Sequence, residues 1–213
     1  MRRRMMGGEM VIPDLMAARL MNTMTEYISN EVTSVIQNGF SYQTKLELVV
    51  LPNCTALQAG AFYGCSELSV LSLPKLKSIQ NNAFRNCKSL TEFITGSTFD
   101  SRLDESTFQG CSGLTKADFY HINNLGISGY ALACENLTTL IIRNADFVPS
   151  LTKTAFGAET TKMNTGEGKI YVPASMIDAY KAAANWSNYA DQIYSLEELT
   201  YERDKYNLDR QTA

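Results

Sequence analysis

The chain has 213 residues, of which 45% are hydrophobic and 19% are charged, and its formal net charge is −3 at pH 7. This composition is that of a folded globular protein and argues against both a disordered chain and a membrane protein. The only basic cluster is Arg2-Arg3-Arg4. The sequence therefore lacks the basic surface that nucleic-acid binding requires, and we expect no nucleic-acid partner.

The first 31 residues predict a tail followed by a capping helix. From Asp14, which has the side chain of a good N-cap, apolar residues recur at helical spacing as far as Ile28. We expect this amphipathic helix, 14–28, to cover the first repeat, although its methionine-rich face could instead bind a partner. Pro13 and its neighbours interrupt the apolar run that follows the basic cluster, so we expect neither a secretory signal peptide nor a membrane span.

Residues 32–160 contain a sequence pattern that returns every 22 to 25 residues. In most copies a small residue precedes Phe, Cys follows Phe by three residues, and Leu follows Cys by three. Such self-similarity predicts a solenoid of five to six stacked repeats, each of which buries its apolar face against its neighbours. The four clear copies contain Cys65, Cys87, Cys111 and Cys134, and degenerate copies surround Phe40 and Phe156.

Apolar residues alternate with other residues after the Leu of each copy, as in Leu68-x-x-Leu71-x-Leu73. This period-2 pattern predicts one half-buried strand in every repeat. Repetition at a nearly constant spacing stacks these strands into a parallel ladder. Pro52 and Pro74 end two of the strands, because proline has no N–H to donate to the ladder.

Two columns of side chains are expected inside the solenoid. One contains the repeated phenylalanines and is broken only at Ala131, because we align the pair Tyr130-Ala131 with the pair Ala61-Phe62. The other contains the four repeated cysteines, which we expect to be free and buried, while Cys54 occupies a different core position. Disulfides between adjacent strands are the alternative. A metal site is not expected, because the chain has no Cys-x-x-Cys pair.

Residues 161–199 predict a C-terminal cap made of a strand and a helix. Ile170–Val172 has the apolar pattern of a last strand, and Pro173 favours the start of an alanine-rich helix over about 175–184. Residues 200–213 have mixed charges and little periodicity, and they predict a tail. The residues expected to pack under the helix are Trp186, Tyr189 and Ile193.

The repeated order I-x-x-x-A-F-x-x-C-x-x-L-x-x-L-x-L-P resembles the BspA-like class of bacterial leucine-rich repeats, over about residues 32–160. The closing segments Gly168–Pro173 and Ala179–Trp186 are also similar to that family. The resemblance implies a leucine-rich-repeat solenoid of the α/β type. It would have a single parallel β-ladder on its concave side, short helical or irregular returns on its convex side, and helical caps. Family members occur in bacterial surface and secreted adhesion proteins and in prophage-encoded arrays, whereas this sequence contains no readable signal peptide and leaves the localisation open.

The outward-pointing residues of the predicted strands form a surface that we call the ladder face. Several of them are apolar, although solvent-facing strand positions are usually polar, and an exposed apolar patch often marks an interaction site. Burial by a dimer partner, or selection for β-propensity alone, would also explain the pattern. The candidate binding residues form one row of Val50, Ser72, Ile94, Asp118 and Ile141, a second row of Leu48, Val70, Glu92, Lys116 and Thr139, and a rim of Tyr120 and Arg143.

Catalytic patterns are nearly absent from the sequence. The chain has a single histidine, His121, no Gly-x-Ser-x-Gly elbow and no dinucleotide-binding loop, and we expect no cofactor. We therefore predict a non-enzymatic binding module that recognises a protein or a glycan, as part of a bacterial surface or phage-related protein. The alternative is a structural subunit that uses the ladder to pair with itself, as a homo-oligomer, or with another subunit. A thiol-dependent enzyme would need an accessible, partly ionised cysteine.

Overall fold

The computed structural model describes residues 22–199, so the predicted tails and residues 14–21 of the predicted helix lie outside the described residues. Within this range the chain forms short strands, one α-helix, α1 (Ile177–Ala182), and 3-10 segments at Ala174–Met176, Trp186–Gln192 and Leu196–Glu198. In chain order the strands are β1 (Glu26–Ile28), β2 (Ser34–Val35), β3 (Leu48–Val50), β4 (Ala56–Leu57), β5 (Val70–Ser72), β6 (Ser78–Ile79), β7 (Glu92–Ile94), β8 (Ser101–Leu103), β9 (Lys116–Phe119), β10 (Ile122–Ile127), β11 (Thr139–Ile142), β12 (Lys169–Val172) and β13 (Ile193–Ser195).

The strands belong to two parallel ladders. The first ladder consists of the sheet β1-β3-β5 and the sheet β7-β9-β11-β12-β13, and the second consists of the sheets β2-β4-β6 and β8-β10. In the first ladder, Leu140 of β11 lies opposite Ala117 of β9 and Ile170 of β12, and all three side chains are buried. Consecutive turns therefore stack their apolar residues on one interior. This arrangement confirms the predicted leucine-rich-repeat solenoid with its parallel ladder.

The second ladder occupies part of the segment in which the sequence predicts a helical or irregular return. Its strands β2, β4 and β6 have only two residues each, and their second residues, Val35, Leu57 and Ile79, are buried. Two residues are too few to show an alternating pattern, which explains why the sequence does not reveal these strands. The turns that begin with β1, β3, β5, β7 and β9 thus each contain one more strand than the repeat pattern predicts.

A column of stacked aromatic rings fills the interior of the N-terminal turns. The ring centroids of Phe40 and Phe62 are 5.0 Å apart, those of Phe62 and Phe84 5.4 Å, and those of Phe84 and Phe108 5.3 Å, with interplanar angles of 3° to 7°. All four side chains are fully buried. The sequence-predicted phenylalanine column is therefore present in these turns.

The phenylalanine column is interrupted in the fifth turn, as predicted, but the residue at the break is Leu132 and the assignment to Ala131 is wrong. The backbone N–H of Phe84 donates to the C=O of Thr107, the residue before Phe108, and the N–H of Phe108 donates to the C=O of Ala131. Ala131 therefore corresponds to Thr107, and the next residue, Leu132, takes the phenylalanine position and is buried. The fifth copy has one residue fewer between this position and its cysteine, and that deletion shifted our alignment.

The four repeated cysteines form a column of thiol-to-carbonyl hydrogen bonds between turns. Each Sγ donates to the backbone C=O of a phenylalanine in the preceding turn, at 3.0 Å for Cys65 to Phe40 and 2.9 Å for Cys111 to Phe84. The equivalent bonds of Cys87 and Cys134 measure 3.1 and 3.2 Å. All five cysteines of the chain are free and buried, as predicted.

The two ends of the described chain differ from their predictions. Residues 26–28 form β1, so the predicted N-terminal helix does not extend to Ile28. At the C-terminus, β12 forms where a strand was predicted, but it is not the last one, because Ile193–Ser195 pairs with it as β13. Helix α1 has six residues and is shorter than the predicted helix. Trp186 is buried as expected, and its indole Nε1 donates to the C=O of Pro149 at 2.7 Å.

Candidate functional site: the ladder face

The register of the first ladder arranges the predicted ladder face in two rows. Val50 lies opposite Ser72, and Ile94, Asp118 and Ile141 follow one another across β7, β9 and β11. The second row places Leu48 opposite Val70, and then Glu92, Lys116 and Thr139 in register. The two rows are interrupted between β5 and β7, which belong to different sheets. We call β1, β3 and β5 the N-terminal half of the ladder face, and β7 to β13 of the first ladder its C-terminal half.

Apolar side chains lie partly exposed on the N-terminal half. Val70 is 42% exposed, and Leu48 and Val50 are half-buried. Ile28 of β1 lies opposite Val50 and is 64% exposed, the largest fraction among the large apolar residues of 22–199. On the first strand of the C-terminal half, Ile94 is 41% exposed. An apolar patch thus follows the outward side of the first turns.

Two residues that the sequence assigns to the exposed rows are buried on the C-terminal half. Asp118 is 1% and Ile141 0% exposed, which corrects the prediction that both lie on an open surface. For Asp118 the cause is Arg143, one of the predicted rim residues. Its Nε and Nη2 donate to the two carboxylate oxygens of Asp118 at 2.8 and 2.7 Å. This bidentate pair reaches across the strands, and Ile141 is enclosed between Asp118 and Tyr171 of its own row.

The remaining predicted residues of the C-terminal half are polar. Glu92 and Lys116 form an ion pair with 3.8 Å between Oε2 and Nζ, and Thr139 follows them in register, half-buried. Tyr120, the other predicted rim residue, is 46% exposed and its backbone N–H donates to the Thr95 hydroxyl at 2.8 Å. Ten of the twelve predicted residues therefore lie on strands of the first ladder, and Tyr120 and Arg143 directly follow β9 and β11. The twelve side chains differ in how much of each is covered by its neighbours.

Four further residues of the ladder face were missed by the sequence analysis. Ile28 was assigned to a helix, and Lys169, Tyr171 and Tyr194 lie beyond the last Cys-containing repeat. Tyr171 and Tyr194 continue the first row, with ring centroids 5.8 Å apart, and the Lys169 Nζ lies 5.3 Å from the centroid of the Tyr194 ring. The apolar alternation of Ile170-Tyr171-Val172 was the only available signal for this extension.

The repeated cysteines are buried in the core, and burial changes the acidity of three of their thiols. Burial raises the pKa of the Cys65 thiol to about 12 and raises the pKa values of Cys87 and Cys134 well above the usual range. These thiols are thus protonated at neutral pH, and a thiolate is the reactive form. His121 lies between two carboxylates, with its Nδ1 2.9 Å from Asp100 Oδ1 and its Nε2 3.5 Å from Asp146 Oδ1.

Among residues 22–199, no group of three or more His, Cys, Asp or Glu side chains is placed to hold a metal ion. In the same part of the chain, no helix is both long enough and apolar enough to cross a bilayer.

Comparison with solved structures finds other leucine-rich-repeat proteins. A leucine-rich cell surface protein from Faecalibacterium prausnitzii is 17% identical with a TM-score of 0.46, and the match covers 80% of this chain and 38% of that one. The T. pallidum leucine-rich-repeat protein is 19% identical with a TM-score of 0.37, covering 67% and 82%. A leucine-rich-repeat protein from Bacteroides ovatus is 15% identical with a TM-score of 0.39, covering 66% and 43%.

The chain therefore spans well under half of the F. prausnitzii protein. A search of curated protein sequences finds no significant match. The family model described as the BspA type leucine-rich repeat region matches residues 27–162 in six copies. This range contains every strand from β2 to β11 and the complete phenylalanine and cysteine columns of the repeats. By this match the chain belongs to the BspA-type leucine-rich-repeat family.

Proposed function

We propose that this leucine-rich-repeat protein is a non-enzymatic binding module whose ladder face recognises a protein or a glycan, as part of a bacterial surface or phage-related protein. The observation that carries the proposal is the apolar patch on the outward side of the first turns. It consists of Ile28, Leu48, Val50, Val70 and Ile94.

The composition of this patch is unusual for an open strand surface. Outward strand positions that face water are normally polar, and the second row of the C-terminal half follows that rule with Glu92, Lys116 and Thr139. On the N-terminal half, consecutive turns instead place aliphatic side chains next to one another. Contiguous exposed apolar surface favours burial against a partner, because its removal from water contributes roughly 25 cal/mol per Å².

The chemistry of the chain also favours binding over catalysis. The cysteine thiols are buried, and burial raises their pKa values where a shift is resolved. The single histidine of the sequence is flanked by the carboxylates of Asp100 and Asp146 and packs edge-to-face on the Phe147 ring. Leucine-rich-repeat solenoids typically present an extended surface for recognition, and the ladder face provides one.

The test is a binding screen of the wild-type chain against extracellular-matrix proteins, host-cell surfaces and a glycan panel. The same screen is done with the double variant Val50→Glu, Ile94→Glu, and with Leu125→Glu as a matched control. Leu125 is 60% exposed but lies on β10 of the second ladder. We expect a ligand whose binding is lost in the double variant and retained in the control. A blank screen, or a ligand that binds all three chains equally, would contradict the proposal.

A structural role in assembly is the second candidate, and the position of Ile28 favours it. Ile28 lies on β1, the first strand of its sheet, so the apolar patch continues to the sheet edge. A second copy placed there would cover both the patch and the edge strand. Light scattering coupled to size exclusion distinguishes the candidates. A stable dimer that Ile28→Glu converts to monomer supports assembly, whereas a monomer at all concentrations excludes pairing through this edge.

A further inference from the structure

A second surface of the molecule, outside the ladder face, contains a pocket of about 420 Å³. It lies on the segments that follow β2, β4 and β6. Its lining consists of Gln37, Asn38, Ser41, Tyr42, Ala59, Gly60, Tyr63, Asn81 and Asn82. We propose that this pocket binds a neutral saccharide, with the Tyr42 ring as a stacking platform and the surrounding amide side chains as hydrogen-bonding groups.

Tyr42 has a backbone conformation that disfavours its own residue type. Its φ is 61°, in the left-handed region, where the equivalent residues of later turns are Gly64, Asn86 and Gly110. Glycine and asparagine tolerate this region far better than tyrosine. The ring gains little burial in return, because the residue is 63% exposed. A strained residue that is not stabilised by burial points to a role in binding.

The Tyr42 ring is nevertheless held in place. Its centroid lies 5.0 Å from that of Tyr63 in an edge-to-face arrangement. A Cβ on Gly64 would lie 3.0 Å from Cδ1 of Tyr42, so the ring packs directly against the glycine backbone. The Tyr42 N–H also donates to the C=O of Tyr63 at 2.6 Å. The platform is therefore positioned before any ligand binds.

The walls of the pocket are also fixed by the repeat. The Gln58 Oε1 accepts from the Gln37 N–H, and the Gln80 Oε1 accepts from the Ala59 N–H, both at 3.0 Å. These side-chain bonds connect consecutive turns just beneath the pocket. Gly60 has no side chain to fill it, since a Cβ there would collide with the amide of Asn38.

The chemistry of the lining selects a neutral, hydroxyl-rich ligand. Amide side chains both donate and accept, as do the hydroxyl groups of a sugar. None of the nine lining residues is charged, which disfavours an anionic or cationic ligand. Arg85, which is not part of the lining, has its Cζ 5.9 Å from the Tyr63 ring centroid and donates to Asn82 Oδ1 at 3.3 Å. Tyrosine adds an apolar ring face with a polar tip, suited to the C–H face of a pyranose.

The test is saturation-transfer NMR of the full chain with glucose, galactose and N-acetylglucosamine, and with N-acetylneuraminic acid as the anionic counterpart, each up to about 10 mM. We expect at least one neutral sugar to bind and Tyr42→Gly to weaken it at least tenfold. The glycine suits the left-handed backbone, so this variant removes the ring without adding strain. Asn81→Asp, which changes an exposed lining residue, should weaken the binding of the same sugar, because it adds a charge to the pocket.

Two controls separate the pocket from other sites. Tyr130→Ser removes another exposed tyrosine with a left-handed backbone (φ 57°), at a position where the preceding turn has Ser106. The Tyr130→Ser variant should bind the sugar with the same affinity as the wild type. The Val50→Glu, Ile94→Glu variant should also retain the sugar, so failure of the ladder-face proposal leaves this one intact. Absence of any neutral-sugar signal, preference for the anionic sugar, or binding by Tyr42→Gly at wild-type strength would overturn the proposal.

Discussion

The N-terminal and C-terminal halves of the ladder face have the same strand register but differ in what covers their outward side chains. On the C-terminal half, neighbouring turns cover one another: Arg143 binds Asp118, and Tyr171 lies beside the buried Ile141. On the N-terminal half, Leu48, Val50 and Val70 are not covered in this way and remain partly exposed. A repeat position therefore fixes the direction of a side chain, whereas the residues of the next turn decide how much of it is exposed.

The largest expected effect separates two isoleucines of the same row. Ile141→Ala should lower the free energy of unfolding by about 2–4 kcal/mol, because it removes buried methyl groups and leaves a cavity. Ile94→Ala should cost less than about 1 kcal/mol, because that side chain is 41% exposed. Urea denaturation of both variants measures the difference. Equal losses would show that the outward side chains of β7 and β11 are covered alike.

The second-largest loss of stability is expected when the bidentate pair of Arg143 and Asp118 on the C-terminal half is broken. Arg143→Ala removes the guanidinium from a carboxylate that is almost completely buried, although the arginine itself is 31% exposed. We expect a loss of about 2–3 kcal/mol, between the values for exposed and for fully buried pairs. A double-mutant cycle with Asp118→Asn isolates the pair. A coupling energy near zero would contradict its role as the cover of this half.

The buried cysteines of both halves should make the protein less stable at alkaline pH. Burial raises the pKa of the Cys65 thiol from 9.0 to about 12, so the folded state keeps a proton that the unfolded state loses. Stability is therefore complete below pH 9 and falls as the pH rises above it. Because the Cys65 thiol ionises only in the unfolded state over this range, the free energy of unfolding should fall by about 1 kcal/mol between pH 8 and pH 10 from this residue alone.

The check is urea denaturation at both pH values for the wild type, for Cys65→Ala and for Cys134→Ala. Each variant should show a smaller loss between pH 8 and pH 10 than the wild type, by a similar amount, because burial raises the pKa of both thiols. A variant with an unchanged pH dependence would show that its thiol is accessible to water in the native state.

The smallest expected effect concerns the exposed pair of the C-terminal half. Glu92→Gln removes a partner of Lys116 at 3.8 Å, with half of the glutamate side chain exposed. The free energy of unfolding should change by less than about 0.5 kcal/mol, because exposed ion pairs are screened by water and salt. Denaturation at low and high salt measures this. A loss as large as that of Arg143→Ala would remove the distinction between the two ion pairs.

The sequence was sufficient for the parallel solenoid, for the strand register and for the cysteine column, because each depends on a spacing that recurs in the chain. It was insufficient where the spacing changes. The one-residue deletion before Cys134 misplaced Ala131, and β13 lies beyond the last Cys-x-x-Leu step, so only its pairing with β12 reveals it.

The sequence also did not predict which side chains of the ladder face are exposed. Asp118 and Ile94 occupy the same row, and their alternation patterns predict the same direction for both side chains. Asp118 is buried because an arginine two residues further along the neighbouring strand reaches back to it. Such contacts depend on side-chain geometry between turns, which a single repeat pattern does not contain.

The most direct test of binding by the N-terminal half of the ladder face compares two residues of one row, one on each half. Val70 and Thr139 both belong to the second row, on β5 and β11. For a ligand recovered by the binding screen, Val70→Glu should weaken the affinity more than tenfold, and Thr139→Glu should change it less than threefold. Equal losses, or a larger loss at Thr139, would contradict the claim that the uncovered N-terminal half is the binding surface.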